Sequence, residues 1–134
     1  MDARLDPFAA LGIHAGDAHH IRNAGGRFAP DAVRSLLISQ ALLGTREVVV
    51  LHHTGCGMLT FTSDDARSVV RKREGISAEG VKELERLEFQ EFSDLEQSVR
   101  DDVDAIQKHP LVLQETVVSG WVYEVETGKV RRVV

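Results

Sequence analysis

The chain has 134 residues, a single cysteine and a formal net charge of -5 from 16 basic and 21 acidic side chains. This length suits one domain, the charge balance gives no support to a nucleic-acid surface, which favours a basic face, and one cysteine excludes an internal disulfide. No apolar run approaches the ~20 residues of a membrane span, and residues 1–7 carry two acids without a signal-like apolar stretch, so a cytoplasmic protein that engages neither nucleic acid nor membrane is expected.

Residues 18–21 read as a short strand running into the glycine turn Arg22-Asn23-Ala24-Gly25-Gly26. From 30 to 43, Val33, Leu36, Leu37, Ala41 and Leu42 recur at helical spacing, with Pro30 in the first turn and Gly44 where a helix commonly stops. Residues 47–52 hold the run Val48-Val49-Val50-Leu51, short and β-branched, as in a parallel strand buried on both faces. The loop His53-Thr54-Gly55-Cys56-Gly57 follows at once. A further helix is predicted to start near Thr62 or Ser63 and fade before Gly75, and the polar stretch 74–92 is partly helical. Ser93 and Glu96 have capping-box spacing ahead of the stripe Leu95, Val99, Val103 and Ile106, and Pro110 ends that helix. Residues 116–134 read as two strands joined at Glu126-Thr127-Gly128-Lys129. The alternation predicts an α/β fold over a single domain, 1–134: a mainly parallel sheet flanked by helices, with a C-terminal antiparallel hairpin.

In such sheets functional groups gather at the carboxyl ends of strands, and the loop from His53 to Cys56 lies at one. Its imidazole and thiol suit zinc, which accepts both donor types; read alone, they also fit a surface histidine and a small packed cysteine. Strand alternation sends His52 and His53 to opposite faces, so only one joins a site there. In isolation Asp2-x-Arg4 is an ordinary solvated ion pair; buried beside a reactive centre, the arginine would hold the carboxylate in one orientation. His14, His109 and one of His19 and His20 are expected at the surface, Trp121 and Tyr123 in the core or an interface, and Asp101, Asp102 and Asp104 on the solvated face of their helix.

Taken together, Met-Asp-Ala-Arg at 1–4, His-Ile-Arg-Asn-Ala-Gly at 20–25, Arg-Ser-Leu at 34–36 and His-Thr-Gly-Cys-Gly-Met at 53–58 resemble, in order and spacing, the β-class carbonic anhydrases. Leu-Gly-Thr-Arg-Glu before the valine-rich strand and the closing Gly-Trp-Val-Tyr with Thr-Gly-Lys also resemble small bacterial members. The resemblance implies hydration of carbon dioxide to bicarbonate and a proton. It implies zinc held by His53 and Cys56, a catalytic dyad of Asp2 and Arg4, Asp2 as a metal ligand in a closed state only, and the Gly57 backbone facing substrate. It also implies a homodimer or dimer of dimers. The family pattern is Cys-x-Asp-x-Arg, so its first cysteine, and the strand before it, would stand just upstream of Met1; the natural polypeptide is accordingly expected to be longer at its N-terminus. Two other readings stay open at this point: a non-catalytic anion- or partner-binding module that has lost a zinc ligand, and a cysteine-nucleophile enzyme using Cys56 with His53 or His52.

Overall fold

A computed structural model describes all residues, 1–134. Helix α1 (Pro7–Leu11) is capped by the Asp6 carboxylate, which accepts from the Ala9 amide. A 3-10 turn follows at Ala24–Gly26, then α2 (Pro30–Leu43), which stops at Gly44 in the left-handed conformation as the sequence predicts. Strand β1 (Glu47–His53) leads through a 3-10 turn (Gly57–Leu59) into α3 (Ser63–Arg71), α4 (Ala78–Arg86) and α5 (Leu95–Lys108). Strands β2 (Val117–Glu124) and β3 (Lys129–Arg132) close the chain.

The sheet order is β1-β2-β3. β1 and β2 are parallel, in register from Glu47 opposite Val117 to His53 opposite Tyr123, and β3 returns antiparallel from Glu124 opposite Lys129 to Trp121 opposite Arg132. This is the expected α/β architecture, with helices interposed between parallel strands and a terminal hairpin.

The core is built where α5 lies across β1 and β2: Val99, Val103 and Ile106 meet Val50, Val122, Leu36 and Val112. Gly120 makes this approach possible, because a Cβ there would stand 2.5 Å from Val99 Cγ1 and 2.8 Å from Val134 Cγ1. Tyr123 is buried, while the Trp121 indole is half-buried and donates to Ser119 Oγ.

Three local expectations are corrected. Residues 18–21 form no strand, since an extended segment becomes a strand only through a ladder and no strand pairs with it. Helix α5 is capped by Asp94, whose carboxylate accepts from the Gln97 amide, rather than by Ser93; aspartate and serine cap about equally well, and the helix begins one residue later than the spacing suggested. β1 is buried on both faces only in its second half, Val49 remaining 40% exposed. That exposure follows from topology: β1 is an edge strand, and its free side opens into a cavity of about 880 Å³ that residues 19–23 line from across the gap.

Candidate active site

The end of β1 is where the sequence-predicted residues converge. His53 is buried, and its Nδ1 lies 2.8 Å from the Thr54 carbonyl oxygen. A carbonyl can only accept, so Nδ1 carries a proton, and in the neutral imidazole Nε2 has the lone pair free for a ligand. Nε2 points towards the Asp2 carboxylate, 3.7 Å away. Cys56, buried and unpaired, follows Gly55, whose positive φ of 59° turns the loop back over the strand end. Gly57 sits exposed beside it, and its carbonyl accepts from the Thr60 amide.

Asp2 and Arg4 form a two-pronged pair: Nε donates to Oδ1 at 2.9 Å and Nη2 to Oδ2 at 2.7 Å. The Arg4 side-chain hydrogen bonds, joined by its backbone amide, hold the Asp2 carboxyl well below the usual carboxylate range. Arg4 Nη2 also donates to the Gly55 carbonyl at 3.2 Å, which ties the dyad to the cysteine loop. From the other side the Thr54 hydroxyl donates to Glu126 and accepts from the Val125 amide, anchoring the loop to the β2–β3 turn. Asp2, Arg4, His53 and Cys56 are thus brought into one neighbourhood from chain positions 50 residues apart.

The donor set of one imidazole nitrogen with a free lone pair and one buried thiol fits zinc chemically. With Asp2 turned onto Arg4, no group of three His, Cys, Asp or Glu side chains converges on a common metal position.

Two residues outside the predicted site belong to its surroundings. Arg22 Nη2 donates to the Asp2 carbonyl at 2.6 Å and so fixes the backbone from which the dyad projects. Asp102, expected on a solvated face, is buried instead: Oδ2 lies 3.1 Å from Arg27 Nε and 3.1 Å from His52 Nε2. The signal was present in the spacing. Ser98 and Asp102 precede Val99 and Val103 by one residue each, on the flank of the apolar stripe, where a charge requires a buried partner. His52 is committed to this cluster, with Nδ1 2.8 Å from Ser98 Oγ, on the face of β1 opposite His53. It therefore cannot serve Cys56 as a base in the cysteine-nucleophile reading.

The α/β fold thus collects an Asp–Arg pair, a histidine and a cysteine at the end of one strand. Residues 1–130 match the carbonic anhydrase family. The chain is 45% identical over 133 residues to beta-carbonic anhydrase 1 of Mycobacterium tuberculosis, covering 99% of this chain and 77% of that protein. Among solved structures, it is similar to a carbonic anhydrase from Glaciozyma antarctica, with a TM-score of 0.93 at 57% identity over the whole of this chain and 78% of the other. It is also 35% identical over 149 residues to a carbon disulfide hydrolase of Acidithiobacillus thiooxidans, covering 98% of this chain and 68% of that protein. The chain belongs to the β-carbonic anhydrase family, a family of enzymes that hydrate carbon dioxide. No helix is long and apolar enough to cross a membrane.

Proposed function

We propose that this protein catalyses the zinc-dependent, reversible hydration of carbon dioxide to bicarbonate and a proton, with His53 and Cys56 as metal ligands. The observation that carries the reading is the Asp2–Arg4 pair standing over the lone-pair nitrogen of His53, 3.7 Å from Asp2 Oδ2. Zinc held by these residues would supply a water acidified from a pKa of ~15.7 towards ~7. The protein's own part is positional. Arg4 keeps Asp2 ionised and oriented, Asp2 offers a hydrogen-bond acceptor beside the metal, and the Gly57 backbone lies at the edge where the product anion would rest. Rotation of Asp2 away from Arg4 would make it a metal ligand and close the site. The lone cysteine as a ligand suits a reducing compartment, consistent with a cytoplasmic enzyme, and the exposed apolar side chains Ile38, Leu42 and Leu43 suit a homodimer or dimer of dimers.

The reading extends to the open side of β1. The free edge, with apolar walls that include Ile21, Val48 and Leu51, has the shape and chemistry of a slot for one more strand. A strand in that slot that carried a cysteine at its end would supply the third donor that His53 and Cys56 need.

Zinc per protomer, measured on the 134-residue chain and on a version extended upstream in its source reading frame, tests both parts. Near-stoichiometric zinc in the extended form alone supports the third ligand upstream. Stoichiometric zinc in the short form transfers that role to Asp2 or water. No zinc in either form overturns the enzymatic reading in favour of a module that has lost its metal.

A further inference from the structure

The cluster on the far face of β1 is costly. Arg27 and Asp102 are 16% and 5% exposed, and their 3.1 Å contact is a charge contact without aligned hydrogen bonds, Arg27 Nε and Asp102 Oδ2 finding no such partner. His52, fully enclosed, stands against the same oxygen and stacks on Phe92 at 5.5 Å, and the Arg27 guanidinium lies over that ring. Buried ion pairs of this kind commonly add little stability over apolar side chains of the same volume. Ser98, His52 and Asp102 are also the residue types of a hydrolytic triad, but each is buried, and the Ser98 hydroxyl donates to the Leu95 carbonyl rather than to the imidazole. Neither core stability nor hydrolysis accounts for the cluster.

Its connections do. His52 Nε2 lies 3.3 Å from the Gly26 carbonyl oxygen, and Gly26 is pressed so closely on β1 that a Cβ would stand 2.9 Å from the Leu51 oxygen. The Arg27 carbonyl accepts from Asn23 Nδ2 at 2.8 Å, and the adjacent Arg22 grips the Asp2 backbone. A continuous path therefore runs from α5, through the Arg27–Asp102–His52 contacts, into the glycine turn and on to the dyad. His53, the residue next to His52, is the other half of the site.

We propose that Asp102 and Arg27 are positioning residues: with His52 they lock residues 22–27 against the end of β1, and this fixes where Asp2 stands relative to His53. Neither touches the reacting atoms. The inference rests on the zinc-site reading above, but its first consequence, the placement of Asp2 beside His53, belongs to the metal-free protein.

The test replaces the pair with apolar side chains, Arg27→Met with Asp102→Leu, in the full chain. Three readouts are taken: thermal midpoint, the imidazole 15N and 1H shifts of His53 in metal-free protein at one fixed pH, and the zinc Kd by chelator competition. The expected result is a midpoint that holds or rises, His53 shifts that move as the Asp2 carboxylate leaves its place, and a Kd raised about 10- to 100-fold, as for other residues that orient ligands from behind. Unchanged His53 shifts with an unchanged Kd overturn the proposal. If the double variant does not fold, the same readouts on Asp102→Asn decide it, since that change preserves shape: moved His53 shifts in a folded protein support positioning, and unmoved shifts overturn it. A parent that binds no zinc either as the 134-residue chain or extended upstream defeats the zinc-site reading, while the His53 shifts still decide the positioning role.

Discussion

The two edges of β1 are treated very differently. One is paired along all seven residues with β2, and the loop beyond His53 is secured to the same side when the Thr54 amide donates to Tyr123 and its hydroxyl meets the next turn. The other has no strand beside it and faces the cavity, with Val49 40% and Ile21 43% exposed. Edge strands usually carry charges or proline that discourage pairing; Val48-Val49-Val50-Leu51 has the composition of an interior strand. The contrast teaches that the candidate site is assembled from a paired half, His53 and Cys56 beside β2, and a half delivered across the open side, Asp2 and Arg4. Any change that uncouples the halves should damage catalysis more than folding.

The largest effect should come from the delivered half itself. Asp2→Asn, or Arg4→Ala, in the zinc-loaded protein should lower hydratase kcat by about 100-fold or more, the scale of a lost acid–base partner, with metal content unchanged. Stopped-flow assay beside elemental analysis gives both numbers, and undiminished turnover in either variant removes the dyad from the mechanism.

Next in size is the open edge. Supplying a strand for this edge, as an upstream extension, should raise the thermal midpoint. A gain of about 2 kcal/mol corresponds to roughly 5–10 °C for a chain of this size. An extension that leaves the midpoint and the amide exchange of β1 untouched would mean that the cavity is not a strand slot.

How far these features were legible follows from how local their causes are. Helix α2 could be read to its last residue because Pro30 and Gly44 act within one turn. β1 and the β2–β3 hairpin were legible from β-branched runs and the turn residues. The expected strand at 18–21 failed because a ladder needs a partner, and sequence around those residues carries no information about whether one is present. At the candidate site, His53, Cys56, Asp2 and Arg4 were singled out through the spacing shared with a family, not through residue chemistry alone; that Asp2 lies 3.7 Å from His53 needed the fold. Asp102 was misplaced because three acids within four residues look solvated, although its i,i+4 relation to Ser98 set it beside the core.

The paired side of β1 can be probed by packing. Gly120→Ala introduces a methyl where Val99, Val103 and Val134 already close to 3.0 Å or less, and should destabilise by about 1–3 kcal/mol, as overpacking does. On the open side, Val49→Thr keeps the β-branched shape and should stay within about 0.5 kcal/mol. Urea titrations of both variants check the asymmetry, and equal costs would show that the two edges are packed alike.

The smallest effect concerns the anchor between the paired half and the hairpin. Glu126 is held below its ordinary pKa first by its own backbone amide and then by the Thr54 hydroxyl. Because the folded value is depressed, this stabilisation is present above the unfolded carboxylate pKa of ~4.3 and fades as pH falls through the folded value. Thr54→Val removes one of the two donors, so the Glu126 carboxyl, followed by 13C NMR, should titrate at higher pH than in the parent while remaining below an unpaired glutamate. The pH-dependent part of the stability difference between the two proteins should accordingly be present at neutral pH and vanish in acid. Asp2, depressed far more strongly by Arg4, should stay ionised throughout that range, which makes it the internal reference: a Thr54→Val protein in which Asp2 also moved would show that the anchor and the dyad are one coupled unit rather than two separate attachments of the same loop.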